Sequence, residues 1–133
     1  MTKIAFVSSE RPEAKNSLKI LKRMYTNVSP EKADIIVALG GDGTILKSLH
    51  SFLKSKKPIY GMNRGNVGFL MNQYSEKELH KRLSEAISYK LHPLKIKSFH
   101  EDGNVQNSLA FNDISMIRNS SKIAKIKIQI NNK

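Results

Sequence analysis

Asp34-Ile35-Ile36-Val37-Ala38-Leu39-Gly40-Gly41-Asp42-Gly43-Thr44 is the stretch whose reading decides the fold. Its apolar run is unbroken and rich in β-branched residues, the pattern of a strand buried on both faces. Gly40-Gly41 halts the run. Ile45, Leu49 and Phe52 then recur on one face, with Leu46 and Leu53 beside them, so a helix follows the glycines directly. Lys56-Lys57-Pro58 ends that helix. A buried strand, a glycine turn and a helix in immediate succession form half of a parallel α/β repeat.

The flanks continue the repeat. Upstream, Ile4-Ala5-Phe6-Val7 is a short apolar run closed by Ser8-Ser9, and Pro12 opens a helix with Leu18, Leu21 and Tyr25 at helical spacing. Downstream, Pro58-Ile59-Tyr60-Gly61-Met62 is a third strand. Ser75-Glu76-Lys77-Glu78 then has the form of a capping box, with Leu79, Leu83, Ala86 and Ile87 continuing its helix. The expected class is therefore α/β, a Rossmann-like parallel sheet with flanking helices. After about Leu91 the pattern changes. Leu94-Lys95-Ile96-Lys97 and Ile126-Lys127-Ile128-Gln129-Ile130 alternate apolar and polar, as half-exposed antiparallel strands do, and Asp102-Gly103 is a hairpin signal between them. We expect residues 1–90 to form an α/β nucleotide-binding domain and residues 91–133 to begin an all-β domain. That second unit is barely started when the sequence reaches Asn131-Asn132-Lys133.

Composition narrows the partners. The 133 residues carry a formal net charge of +12, which suits anionic ligands in general. The lysines (Lys19, Lys22, Lys54, Lys56, Lys57, Lys95 and Lys97 among them) are spread along the chain, without the clustered basic face or interleaved aromatics of a nucleic-acid binder. The same spread also fits a biased base composition in the gene. With no cysteine, disulfides and thiolate metal sites are excluded. His50, His80, His92 and His100 lack ligand spacing and read as surface or edge residues. No signal peptide opens the chain and no segment is long enough to span a bilayer, so a cytoplasmic location is expected.

Parallel sheets bind ligands beyond the carboxyl ends of their strands, which places the glycine turn at the expected site. Bare glycines let a ligand approach backbone N–H groups, and the following helix offers its positive end to phosphate. Asp42 presents a carboxylate there. Beside phosphates such a group makes sense as a proton acceptor for an attacking hydroxyl, or as help in holding a metal ion. Read alone, the turn also fits a left-handed loop with an N-capping aspartate.

Gly40-Gly41-Asp42-Gly43-Thr44 resembles the signature shared by NAD kinases, diacylglycerol and sphingosine kinases, and 6-phosphofructokinases. Gly61-Met62-Asn63-Arg64-Gly65-Asn66-Val67-Gly68-Phe69-Leu70 is similar to the NAD kinase segment G-x-N-x-G-x-L-G-F-L, with Val67 in place of leucine. Leu109-Ala110-Phe111-Asn112-Asp113-Ile114-Ser115 resembles that family's A-L-N-E-V segment. The three occur in family order and at family-like spacing. The resemblance implies phosphoryl transfer from ATP, another nucleoside triphosphate or polyphosphate to the 2′-hydroxyl of the adenosine ribose of NAD, giving NADP, with a divalent metal ion such as magnesium on the donor. It implies Asp42 as the catalytic proton acceptor and Gly41, Gly43, Lys47, Asn63, Phe69, Asn112 and Asp113 in substrate binding. Lys47 would approach phosphate and Phe69 would lie against adenine, although ordinary core packing is the other reading of Phe69. Asp113 stands where the family has glutamate, so its carboxylate is withdrawn by about one methylene and its contact is weaker or water-bridged. The family's T-P-T-G-S-T-A-Y region, which closes the NAD pocket, is not in this sequence. Two readings follow: an enzyme acting as a homo-oligomer or with a complementing second-half polypeptide, and a non-catalytic nucleotide-binding remnant.

Overall fold

The computed structural model describes residues 2–66 and 68–131. Val67, the one departure from the loop motif, lies outside the described residues, as do Asn132 and Lys133 of the last turn signal. Strand β1 (Ile4–Ser8), helix α1 (Pro12–Met24), strand β2 (Ile35–Gly40), helix α2 (Asp42–Ser51), strand β3 (Ile59–Asn63) and helix α3 (Leu79–Glu85) alternate as the sequence predicts. The three strands form one parallel sheet in the order β1-β2-β3. Strands β4 (Leu94–Phe99) and β5 (Val105–Ala110) pair antiparallel as a separate hairpin. The fold is thus a parallel α/β sheet with flanking helices followed by the start of a β unit.

Alternation along the strands assigns the two sheet faces. Ile4, Phe6, Val37, Leu39, Tyr60 and Met62 point to one face and form the larger core with Ala14 and Leu21 of α1 and Leu79 of α3. Ala5 and Ile36 point the other way, packed with Ala33, Val28, Phe52 and Ile59. Helix α2 covers that second face: Ile45 lies so close over Gly61 that a β-carbon there would overlap its side chain. Burial on both faces is why β2 reads as an unbroken apolar run. Fully burying one such aliphatic side chain contributes roughly 1.5–3 kcal/mol.

Three expectations are corrected. The capping box before α3 does not form. Ser75 Oγ accepts from Lys77 N at 3.2 Å, and Glu78 sits in the left-handed region with φ 53° and no side-chain cap. The first amide of α3 is satisfied from a distance instead. Leu79 N donates to the Tyr25 hydroxyl at 3.2 Å, and that hydroxyl donates to Glu76 O at 2.7 Å. A tertiary acceptor therefore displaces the local one. Helix α3 also stops at Glu85, leaving Ala86 extended and Ile87 exposed. The third correction concerns residues 126–130, which are exposed and lie outside any described strand. The strand facing β4 across the turn at Asp102-Gly103 is β5. Gly103 adopts φ +83°, as a tight turn requires of glycine. Among the described residues, no helix is long and apolar enough to cross a membrane.

Candidate functional site

Parallel pairing brings three strand ends to one edge. Leu39 faces Ser8 in the β1–β2 register, and Gly40 faces Asn63 in the β2–β3 register. The chain is stitched just beyond: Ser9 N donates to Leu39 O at 2.9 Å, and Arg64 N donates to Gly40 O at 2.7 Å. The glycine turn is therefore flanked by Ser9 on one side and the loop after Asn63 on the other.

The turn itself is not left-handed. Among the described glycines only Gly103 has a positive φ, and Gly41 is an extended N-cap with φ −116° and ψ −171°. Asp42 is the first helical residue rather than the cap, so the alternative of a left-handed loop with a capping aspartate is excluded. The glycines have different reasons to be there. A β-carbon on Gly40 would overlap Thr44 Oγ1 and stand 3.2 Å from Ser9 Cβ, so packing requires glycine. At Gly41 and Gly43 a β-carbon would meet nothing within 4 Å. Neither conformation nor internal packing accounts for glycine at those two positions, and both present bare backbone outward.

Asp42 Oδ2 accepts from Phe69 N at 2.9 Å, and Oδ1 accepts from Leu70 N at 2.9 Å. Two amides fix the carboxylate, one on each oxygen. A carboxylate offers about four lone-pair positions, so each oxygen keeps capacity for a further donor. The loop that supplies these amides is returned along β3 by Asn63 N to Asn72 O at 2.8 Å and Asn72 N to Gly61 O at 2.9 Å. Phe69 projects from it with 93% of its surface exposed, which removes the core-packing reading.

Two cavities open at this sheet edge, the smaller of them against the turn. One, of about 300 Å³, is lined by Ser8, Ser9, Glu10, Gly43, Thr44 and Lys47 among others. Its Ser9 Oγ is buried without a hydrogen-bond partner among the described residues. The hydrogen bond and charge of Lys15 hold the Glu10 carboxyl below its ordinary value. The other, of about 610 Å³, includes Asn63, Arg64, Gly65 and Asn66, Arg11 at the N-cap of α1, and Tyr74. Asn63 Oδ1 accepts from Gly65 N at 2.8 Å and so shapes this loop. Burial pushes the Tyr74 phenol above its ordinary value; its Glu76 partner adds to the shift, while Ser17 and Arg64 oppose it.

Of the residues expected in the site, Gly41, Asp42, Gly43, Lys47, Asn63 and Phe69 meet at this sheet edge. Asn112 and Asp113 do not join them. They follow β5, are exposed, and share only a weak 3.5 Å contact with each other, Asn112 having φ 82°. Among the described residues no hydrogen bond links the β4–β5 hairpin to the α/β unit. Arg11, Arg64 and Tyr74 were not singled out by the sequence reading. The signal was present, since Arg64 lies inside the second glycine loop and Arg11 just past a strand end. Among the described residues no group of three or more His, Cys, Asp or Glu is placed to share a metal ion.

Residues 2–90 match the family model described as the ATP-NAD kinase N-terminal domain. The chain belongs to the NAD kinase family. It is similar to the NAD kinase of Caulobacter vibrioides, 45% identical over 133 residues, covering 100% of this chain and 51% of that protein. It is 42% identical over 130 residues to the NAD kinase of Rhizobium meliloti, covering 98% of this chain and 51% of the relative. Against the NAD kinase of Rickettsia bellii it is 35% identical over 131 residues, again covering 98% and 51%. The chain thus spans about half the length of the curated NAD kinases it matches. The family model covers the α/β unit and both glycine loops, and stops short of the hairpin.

Proposed function

We propose that this chain supplies the nucleotide-binding half of an NAD kinase, which transfers a phosphoryl group from ATP, another nucleoside triphosphate or polyphosphate to the 2′-hydroxyl of the adenosine ribose of NAD. The observation that carries the reading is the carboxylate of Asp42, fixed by two amides beside backbone that Gly41 and Gly43 leave uncovered. Asp42 accepts the hydroxyl proton as the ribose oxygen bonds to the terminal phosphorus. The bond from that phosphorus to the rest of the donor breaks, releasing the shortened donor and NADP. Such transfer depends mainly on positioning and charge stabilisation, which a preorganised edge provides.

The other roles follow from position. Phe69, exposed next to Asp42, offers a face to adenine. Lys47 on α2 approaches phosphate from the smaller cavity, and Asn63 orients the loop beside the larger one. Asn112 and Asp113 would complete the NAD site only once the hairpin is brought to the sheet edge. The described side chains do not build a cage for a resident metal. Magnesium fits as an ion carried on the donor's phosphates, the usual habit of a cation that dehydrates reluctantly.

The domain boundary near residue 90 belongs to this proposal, as does a cytoplasmic location. So does a second copy or a complementing β-rich polypeptide covering the apolar side chains of the hairpin, such as Phe99 at 72% and Val105 at 49% exposure. A second reading, a nucleotide-binding module without turnover, is favoured by the separation of Asn112 from Asp42. Incubation with NAD, ATP and magnesium, with and without a supplied second half, distinguishes the two. NADP formation that Asp42→Asn abolishes supports the kinase. No NADP under either condition leaves the module.

A further inference from the structure

Arg64 is held more firmly than a surface arginine needs to be. Its Nε donates to Ser17 Oγ at 2.6 Å, and Ser17 is fully buried in α1. That hydroxyl spends its own proton on Glu13 O at 2.9 Å, so it is turned to accept from the guanidinium. On one side the guanidinium lies over the Tyr74 ring, with Cζ 4.0 Å from the centroid. Burial pins the serine, the ring fixes the plane of the fork, and the terminal Nη groups remain. Among the described residues those groups make no hydrogen bond, and no carboxylate forms an ion pair with Arg64 or Arg11. Arg11, the N-cap of α1, lines the same cavity of about 610 Å³. A β-carbon placed on Gly65 would lie 3.5 Å from Arg11 Nη1 and 3.7 Å from Gly41 Cα, so Arg11 and the glycine turn border the same spot.

We propose that Arg11 and Arg64 form a receiving site for a linear phosphate chain, which enters by the larger cavity and ends at the Gly41 backbone. A guanidinium presents paired N–H donors in a plane that matches two phosphate oxygens, and a fork already fixed loses little freedom on binding. Two cations against the single lining carboxylate of Glu13 leave the cavity positive. Its volume exceeds what one phosphate fills, and the amides of Asn66, Asn72 and Gln73 extend the polar wall beyond the arginines. The kinase reading enters only in naming this chain as the phosphoryl donor. The phosphate site itself stands on the arginine geometry.

Calorimetric titration of the full chain with inorganic tripolyphosphate, and separately with ATP, tests this at physiological salt. Saturable binding is expected, weakened about 10-fold or more by Arg11→Ala or Arg64→Ala, the value of one charge-assisted pair at a partly exposed site. Arg64→Lys keeps the charge but loses the bond to Ser17, and falls between the parent and Arg64→Ala. Lys22→Ala, an exposed change on α1 that also removes one positive charge, shifts affinity less than about two-fold. Arg11 is exposed and makes no core contact, so its variant stays informative if Arg64→Ala fails to fold. Tighter arginine-dependent binding of ATP supports the site with a nucleoside triphosphate as its source, and equal binding supports it with polyphosphate. Absence of saturable binding by the parent chain overturns the proposal. So does loss of affinity in Lys22→Ala equal to that in Arg11→Ala, which would mean diffuse charge alone. Asp42-dependent NADP formation with arginine-independent phosphate binding sinks this site alone. Arginine-dependent binding with no NADP formed even when a second half is supplied sinks the kinase reading alone.

Discussion

Gly43→Ala is expected to stabilise the chain while damaging nucleotide binding. Gly43 is the second residue of α2, and an added β-carbon meets nothing within 4 Å. Alanine is better than glycine by up to about 1 kcal/mol inside a helix, and a first-turn position keeps roughly half of that. The variant should therefore gain about 0.5 kcal/mol, or roughly 2 °C in melting temperature for a domain of this size. Gly40→Ala is the internal contrast. Its β-carbon overlaps Thr44 Oγ1 and presses on Ser9, a crowding that costs roughly 1–3 kcal/mol. Urea and thermal unfolding followed by circular dichroism give both values, and ATP-dependent thermal shift gives binding in the same preparations. If Gly43→Ala destabilises as Gly40→Ala does, the backbone needs glycine there and the argument from open space fails. If it binds ATP as well as the parent, the uncovered backbone is not where a ligand comes.

Other outcomes follow from the same geometry. Phe69→Ala should leave unfolding within about 0.5 kcal/mol of the parent, since an exposed side chain gives up little packing, yet weaken NAD binding measured by fluorescence or calorimetry. Leu79→Ala, at a fully buried position, should cost about 2–5 kcal/mol in urea unfolding. Tyr74 has its folded pKa raised by burial, so the folded state holds the phenolic proton more tightly than the unfolded chain. Its contribution is complete below the unfolded value near 10 and is lost as pH rises from there through the folded value. The parent should therefore lose stability above about pH 10 more steeply than Tyr74→Phe, as read by urea midpoints across that range.

The central part of the fold was legible because each local signal agreed with the next. The unbroken run before Gly40 is hydrophobic on both faces, and a parallel strand covered by helices on both faces needs that. The capping box failed because Ser75 and Glu78 are read against their neighbours in sequence, whereas the acceptor for Leu79 N comes from Tyr25, the residue that closes α1. Residues 126–130 have a strand's alternation, but pairing is a property of two segments and the pattern of one does not supply it. In the site, Asp42 was visible because so little surrounds it in the turn. Its two amide partners on residues 69 and 70 were not, because a loop's return path depends on the register of β3. Arg64 stands within the second glycine loop, but nothing local marks it, since its distinction is a buried serine 47 positions away.

The Tyr25 hydroxyl, at the end of α1, holds the start of α3 by giving its proton to Glu76 O and receiving one from Leu79 N. A helix of 7 residues has little persistence in isolation. Its opening amide finds an acceptor only after the strand-and-helix framework that carries Tyr25 has assembled. The start of α3 thus depends on a residue that α1 positions. Losing that one oxygen would uncap α3, while Leu79 would still anchor it in the core.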